Sequence, residues 1–120
     1  MTQFNINKEA QELAQDAWDS ALEYGLTDDI QELQEYAQER LHESCDGHEK
    51  AIYTHKAIQF CADVDTSEGE QWLDDCGGIA QEGDTFGQIA CRIAFATLLV
   101  ASQEALQNIV NNYEQEQEES

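Results

Sequence analysis

The sequence predicts an all-α fold, a compact bundle of about five helices around a long central C-terminal helix. Three observations predict it. Proline is absent from the 120 residues, so no position forces a helix to break. The β-branched residues never gather into alternating runs, whereas long segments are rich in Ala, Leu, Glu and Gln, which favour helix. The last apolar segment carries its apolar residues around most of its circumference, as a helix buried on several sides does.

Helix one is expected from about Lys8 to Tyr24, ending at Gly25, a natural left-handed terminator. Ala10, Leu13, Ala14, Ala17, Ala21 and Tyr24 share one face at helical spacing, with Trp18 and Leu22 on its flank. Helix two starts after Thr27 as N-cap, and Asp28 and Asp29 complement the positive end of its dipole. Its core face is Ile30, Leu33, Ala37 and Leu41, and it is expected to fade near Ser44. Asp46 with Glu49 forms a capping-box pattern, so helix three is placed after it and continued to about Asp63. That helix would bury Tyr53, Ala57, Phe60, Cys61 and Val64. Ser67 with Glu70 suggests a cap for a short helix holding Trp72 and Leu73, stopped by Gly77 and Gly78. An irregular loop follows to Asp84. Thr85 then caps the longest helix, Phe86 to Tyr113, whose apolar residues include Ile89, Ile93, Phe95, Leu98, Leu99, Val100, Leu106, Ile109 and Val110. Residues 1–113 read as a single helical domain, and 114–120, which hold no apolar residue, as a disordered acidic tail. No internal repeat or domain boundary is visible.

Composition narrows the function. The formal net charge is -21, from 26 acids against only Lys8, Arg40, Lys50, Lys56 and Arg92. Like charge at this density repels itself, so the core must offset it. Direct nucleic-acid binding is disfavoured, because phosphates are neutralised by the Lys and Arg that this chain barely has. Anionic membrane surfaces are disfavoured for the same reason. The first eight residues show neither an apolar run nor a basic region, and Ile93–Ala101 is too short to span a bilayer, so a cytoplasmic setting in a host cell is expected. Cys45, Cys61, Cys76 and Cys91 form no CxxC pair and read as thiols, although three disulfide pairings stay open.

The placement of the acids is more informative than their number. In helix one, Glu9, Glu12, Asp16, Asp19 and Glu23 follow intervals of 3, 4, 3 and 4. At about 100° per residue they occupy a strip about 80° wide, almost opposite the apolar face. In helix two, Asp28, Glu32, Glu35, Glu39 and Glu43 fall in a strip of similar width, again opposite the core. Neither strip alternates with Lys or Arg, and like charges at i, i+4 cost a few tenths of a kcal/mol per pair. Solubility or a salt-rich solvent explains a charged surface, but neither requires this alignment. The five acids of helix one span about 21 Å, one charge per roughly 4–5 Å, close to the roughly 3.4 Å between phosphates along a DNA strand. Packed about 8–10 Å apart, two such helices would present paired rails of negative charge.

Other constellations are weaker. His42, Cys45 and His48 fall at three-residue steps, with His55 and Cys61 beyond, but a helix break at Asp46 would separate Cys45 from His48. No standard zinc spacing is matched, so no metal and no cofactor is expected. His48, Ile52 and His55, with Lys50 and Lys56, form the least acidic surface. It reads first as a packing face, with a second contact patch or a homodimer seam as alternatives. Cys61 and Cys91 read as buried small hydrophobes, and Arg92 as the partner of an unidentified acid. No nucleophile elbow, P-loop or dinucleotide fingerprint is present, and an enzyme is not expected.

Small size, helix content, scarcity of cations and the acidic strips across Glu9–Glu43 resemble the small acidic anti-defence proteins of phages and mobile elements. These include antirestriction DNA mimics and some anti-CRISPR proteins. The segment His42-Glu43-Ser44-Cys45-Asp46-Gly47-His48-Glu49, with Ile52-Tyr53-Thr54-His55-Lys56-Ala57, is also similar to uncharacterised phage-type proteins. The resemblance implies a non-enzymatic inhibitor whose carboxylates occupy the nucleic-acid path of a basic host nuclease or restriction complex. The alternative expectation is an acidic adaptor or chaperone-like protein that binds a basic partner without blocking nucleic acid.

Overall fold

A computed structural model describes residues 6–24, 29–51 and 54–119, those at 44–51, 54, 55 and 119 by their backbone alone. The described residues form five helices and no strand: α1 (Ile6–Tyr24), α2 (Ile30–Ala51), α3 (Thr54–Asp63), α4 (Ser67–Cys76) and α5 (Phe86–Glu119). At 1.5 Å per residue, the 34 residues of α5 measure about 51 Å, which matches the 52 Å long axis of the molecule. Helices α1, α2, α3 and α4 all pack against α5. The predicted bundle around a central C-terminal helix is therefore the observed architecture.

Two of the expected boundaries move. Helix α2 does not stop near Ser44 but runs through Asp46 and Gly47 to Ala51, and α3 begins at Thr54. Gly47 costs about 1 kcal/mol relative to Ala in a helix, too little to break one that good helix formers continue on both sides. Helix α5 passes Tyr113 and includes 114–119, the stretch read as a disordered tail. Those residues lack Pro and Gly, and Glu and Gln carry little helix penalty, so an already nucleated helix can propagate through them. Gly25, Thr27 and Asp28, the expected terminator, cap and first acid of helix two, lie outside the described residues, as does Tyr53.

The caps show why α4 and α5 start where they do. Thr85 Oγ1 accepts the Gln88 backbone N–H at 3.2 Å, and Gln88 Oε1 accepts the Thr85 N–H at 2.7 Å, a reciprocal capping box at the head of α5. The head of α4 differs from the expectation: Thr66 occupies the N-cap position, and Asp65 accepts both the Ser67 backbone N–H and its hydroxyl. Helix α4 ends at Gly77, whose φ of 125° only glycine adopts readily.

The core has two parts. The larger gathers Ala14, Ala17, Trp18, Ala21, Leu33, Ala37, Leu41, Leu98, Leu99, Leu106 and Val110 from α1, α2 and α5. Leu41, Leu98, Leu99 and Leu106 are fully buried, each worth about 1.5–3 kcal/mol relative to exposure. The four alanines of α1 (Ala10, Ala14, Ala17 and Ala21) are at most 2 % exposed and let its backbone approach its neighbours closely. Tyr24, assigned to that face by spacing, is 63 % exposed. Trp18, assigned to the flank, is buried and meets Tyr113 edge-on with centroids 5.3 Å apart. The smaller core holds Ala57, Phe60, Ala90 and Ala94, from α3 and the first half of α5.

Helix α4 crosses α5 at Gly69. A Cβ there would fall 2.6 Å from Thr97 Cα and collide with the Thr97 hydroxyl, so backbone lies on backbone. Arg92 of α5 fastens the preceding loop, donating to Asp84 Oδ2 and to the Ile79 carbonyl, both at 2.7 Å. Asp84 is thus the acid that the sequence left unidentified. By length and composition α5 could also cross a membrane, unlike Ile93–Ala101 alone, although 44 % of its most apolar stretch is buried inside the bundle and a core helix has the same composition.

Candidate protein-binding surface

The acidic strips come from the outer faces of α1 and α2. Glu12, Asp16, Asp19 and Glu23 are exposed on α1, and Glu9 is half-buried. On α2, Glu32, Glu35, Glu39 and Glu43 are exposed; Asp28 lies outside the described residues. Gln15 Nε2 donates to Asp19 Oδ1 at 3.0 Å, a neutral partner one turn away that orients the carboxylate without cancelling its charge.

Helix directions fix how the strips stand to each other. Asn7, Ala10 and Gln11 line a groove with Ala101, Glu104, Ala105 and Asn108, and Trp18 reaches Tyr113, so α1 runs parallel to α5. Helix α2 runs antiparallel, because Gln34 bonds Gln107 at 2.7 Å and His42 lies edge-on to Phe95. Each of α1, α2 and α5 touches the other two, which makes a triangle in cross-section. Asn7 and Gln11 mark the α1 flank that faces α5, and Gln34 marks that of α2. Both strips are displaced away from those flanks, toward the side that α1 and α2 share.

The strips therefore border one broad side of the bundle, splayed by roughly 80° from the helical period of about 100° per residue. With axes about 8–10 Å apart, the two lines of carboxylates stand roughly 15–20 Å apart. The lines stand wider apart than the helix axes, because each strip points outward from its own helix.

The third corner of the triangle is different. The exposed row of α5 carries Gln107, Asn108, Asn111 and Asn112 among the acids Glu104 and Glu114. Amides thus occupy much of the corner where a uniformly charged surface would place further acids. Exposed acids also stand on α4 (Glu68, Asp74, Asp75), at Glu82 and at the end of α5 (Glu116, Glu118). Helices α1 and α2 are therefore set apart by the alignment of their acids and not by holding most of the charge.

The other constellations singled out by the sequence are the histidines and cysteines. His42 and Cys45 now lie on one unbroken helix with His48, contrary to the expected break at Asp46, but steps of three turn each residue by about 60°. Among the described residues, no group of three His, Cys, Asp or Glu side chains is arranged to hold a metal ion. Cys61 and Cys91 are half-buried, not fully buried as read from the sequence. Burial, followed by the charges of Glu70 and Cys91, pushes the Cys61 thiol up from its ordinary value. Asp84 is held below the usual carboxylate range, first by the hydrogen bond from Arg92 and then by the Gln81 N–H. Asp65 is lowered by its two bonds from Ser67. These last two groups serve loop and cap.

In comparison with known proteins, no family model matches the chain, and no curated protein or solved structure gives a match.

Proposed function

We propose that this protein is a non-enzymatic nucleic-acid mimic that occupies the DNA- or RNA-binding surface of a basic host defence protein, of the anti-CRISPR or antirestriction type. One observation supports the reading: the exposed carboxylates of α1 and α2 stand in two aligned rows with no Lys or Arg among them. Charge placed for solubility or for a salt-rich solvent has no reason to fall in such aligned rows. The rails act as stand-ins for phosphate lines, and the alanine-packed α1 supplies a rigid support for one of them.

Such an interface forms quickly under electrostatic steering and weakens with salt. The test is affinity capture of the partner over a series of salt concentrations, followed by competition with duplex DNA and single-stranded RNA. A partner released by salt and displaced by nucleic acid is the expected result. A partner that stays bound while it holds nucleic acid would establish the adaptor reading instead. The variant Glu12→Gln/Asp16→Asn/Asp19→Asn keeps the helix and removes three charges from one rail. It should weaken binding at least about tenfold, the equivalent of about 1.4 kcal/mol. Unchanged affinity would remove α1 from the interface.

A further inference from the structure

Cys61 and Cys91 both lie where α3 meets α5, packed against the same small core. Cys61 Sγ lies 3.5 Å from the Ala90 carbonyl oxygen, toward which its thiol points. Standard peptide geometry then puts Cys61 Sγ within about 6 Å of the Cys91 Cα. Both side chains border the small core of Ala57, Phe60, Ala90 and Ala94, and the charge of one thiol is felt by the other. Among the described residues, α3 packs against α5 and no other helix, so this contact is its anchor.

We propose that Cys61 and Cys91 are a reversible dithiol–disulfide site that staples α3 to α5, with a low-molecular-weight disulfide such as glutathione disulfide as oxidant. A thiolate from one cysteine attacks a sulfur of the oxidant, forms a mixed disulfide and releases one glutathione thiolate. The second cysteine then attacks the protein sulfur of the mixed disulfide and displaces the second glutathione. Two protein thiols are oxidised, one small disulfide is reduced to two thiols, and the protons pass to the departing thiolates. Burial and the nearby Glu70 keep the Cys61 thiol protonated at neutral pH, so the exchange accelerates as pH rises. The closed loop spans α4 and the turn after it, and this length of loop makes the cross-link effective against unfolding. The proposal does not depend on the protein being a mimic.

The experiment uses the full chain with Cys45→Ser and Cys76→Ser, so that only the two thiols in question can react. It is equilibrated in glutathione redox buffers, then mapped by mass spectrometry and melted with and without reductant. The expected product is monomeric, lighter by two hydrogens and cross-linked from Cys61 to Cys91. Its melting midpoint should rise by about 5–10 °C, a gain lost on reduction. Adding Cys91→Ala to this background should abolish both the cross-link and the gain. Stable glutathione adducts at either cysteine, a disulfide-linked dimer, or a cross-link that leaves the midpoint unchanged or lowered would each overturn the proposal.

Discussion

The two halves of α5 are covered in different ways. From Phe95 onward the helix is enclosed by α1 and α2 in a leucine- and alanine-rich core that includes Trp18 and that Trp72 of α4 also borders. Its first half is covered by α3 and α4 through a core of four small or single aromatic residues, a glycine crossing and a loop pinned by Arg92. The large core stands beneath the acidic strips. This is the expected correlation if apolar burial must offset self-repulsion, because the helices with the most aligned charge need the firmest base. The thinner end carries the thiol pair and has less apolar area to hold it.

The largest effect should come from the thick end. Leu106 is fully buried in the main core, and Leu106→Ala should cost about 3 kcal/mol, within the usual range for a buried leucine. Against a typical total of about 5–15 kcal/mol, that loss weakens the whole molecule. Urea denaturation followed through Trp18 in a Trp72→Phe background, and through Trp72 in a Trp18→Phe background, reads the surroundings of α1 and of α4 separately, although both rings border the large core. Equal losses by both probes would mean that the ends unfold as one unit. A loss confined to Trp18 would make the two halves independent.

Gly69→Ala attacks the other end and is expected to cost less, about 2 kcal/mol. The added methyl meets Thr97 backbone as well as its hydroxyl, so a rotamer change cannot relieve the contact and α4 must move. Trp72 lies on α4 with its ring edge-on to Phe95, centroids 6.4 Å apart, so its near-UV signal should change. The Trp18 signal should not. If Gly69→Ala leaves the Trp72 signal and the denaturation midpoint unchanged, the close crossing is not the anchor of α4.

Much of this arrangement was legible in the sequence, where local chemistry and helical period agree. The alanine face of α1, the Leu33–Ala37–Leu41 face of α2 and the Thr85 cap appear in the structure where spacing put them. What spacing cannot show is distance across the fold. Gly69 looks like an ordinary weak point inside a short helix until Thr97 is found against it. Asp84 is eight residues before Arg92, just ahead of α5, a separation beyond the i, i+3 and i, i+4 pairs that a sequence rule connects. The strips were readable as strips on each helix, but their splay depends on how α1 and α2 turn about α5. The Asp46 boundary failed because a capping pattern signals a start only where the preceding helix has already ended. The fold class was therefore accessible from pattern alone, whereas the shape of the candidate surface required the triangle of α1, α2 and α5.

The smallest effect separates a local ion pair from the global charge. As pH falls from 7 toward the isoelectric point of about 4.1, the net charge of -21 disappears and self-repulsion is relieved throughout the molecule. Asp84 works in the opposite direction. Its folded-state pKa is lowered, so its contribution is present above the ordinary Asp value of about 3.9 and is lost as pH falls through the lower folded value. Asp84→Asn keeps an acceptor near Arg92 but removes the charge. The wild type should therefore have the higher urea midpoint at neutral pH, with the difference closing below about pH 4. Taking the difference between the two proteins cancels the shared relief of repulsion and isolates the thin end of α5. A gap that persists unchanged at pH 3 would mean that Asp84 holds the loop by shape and not by charge.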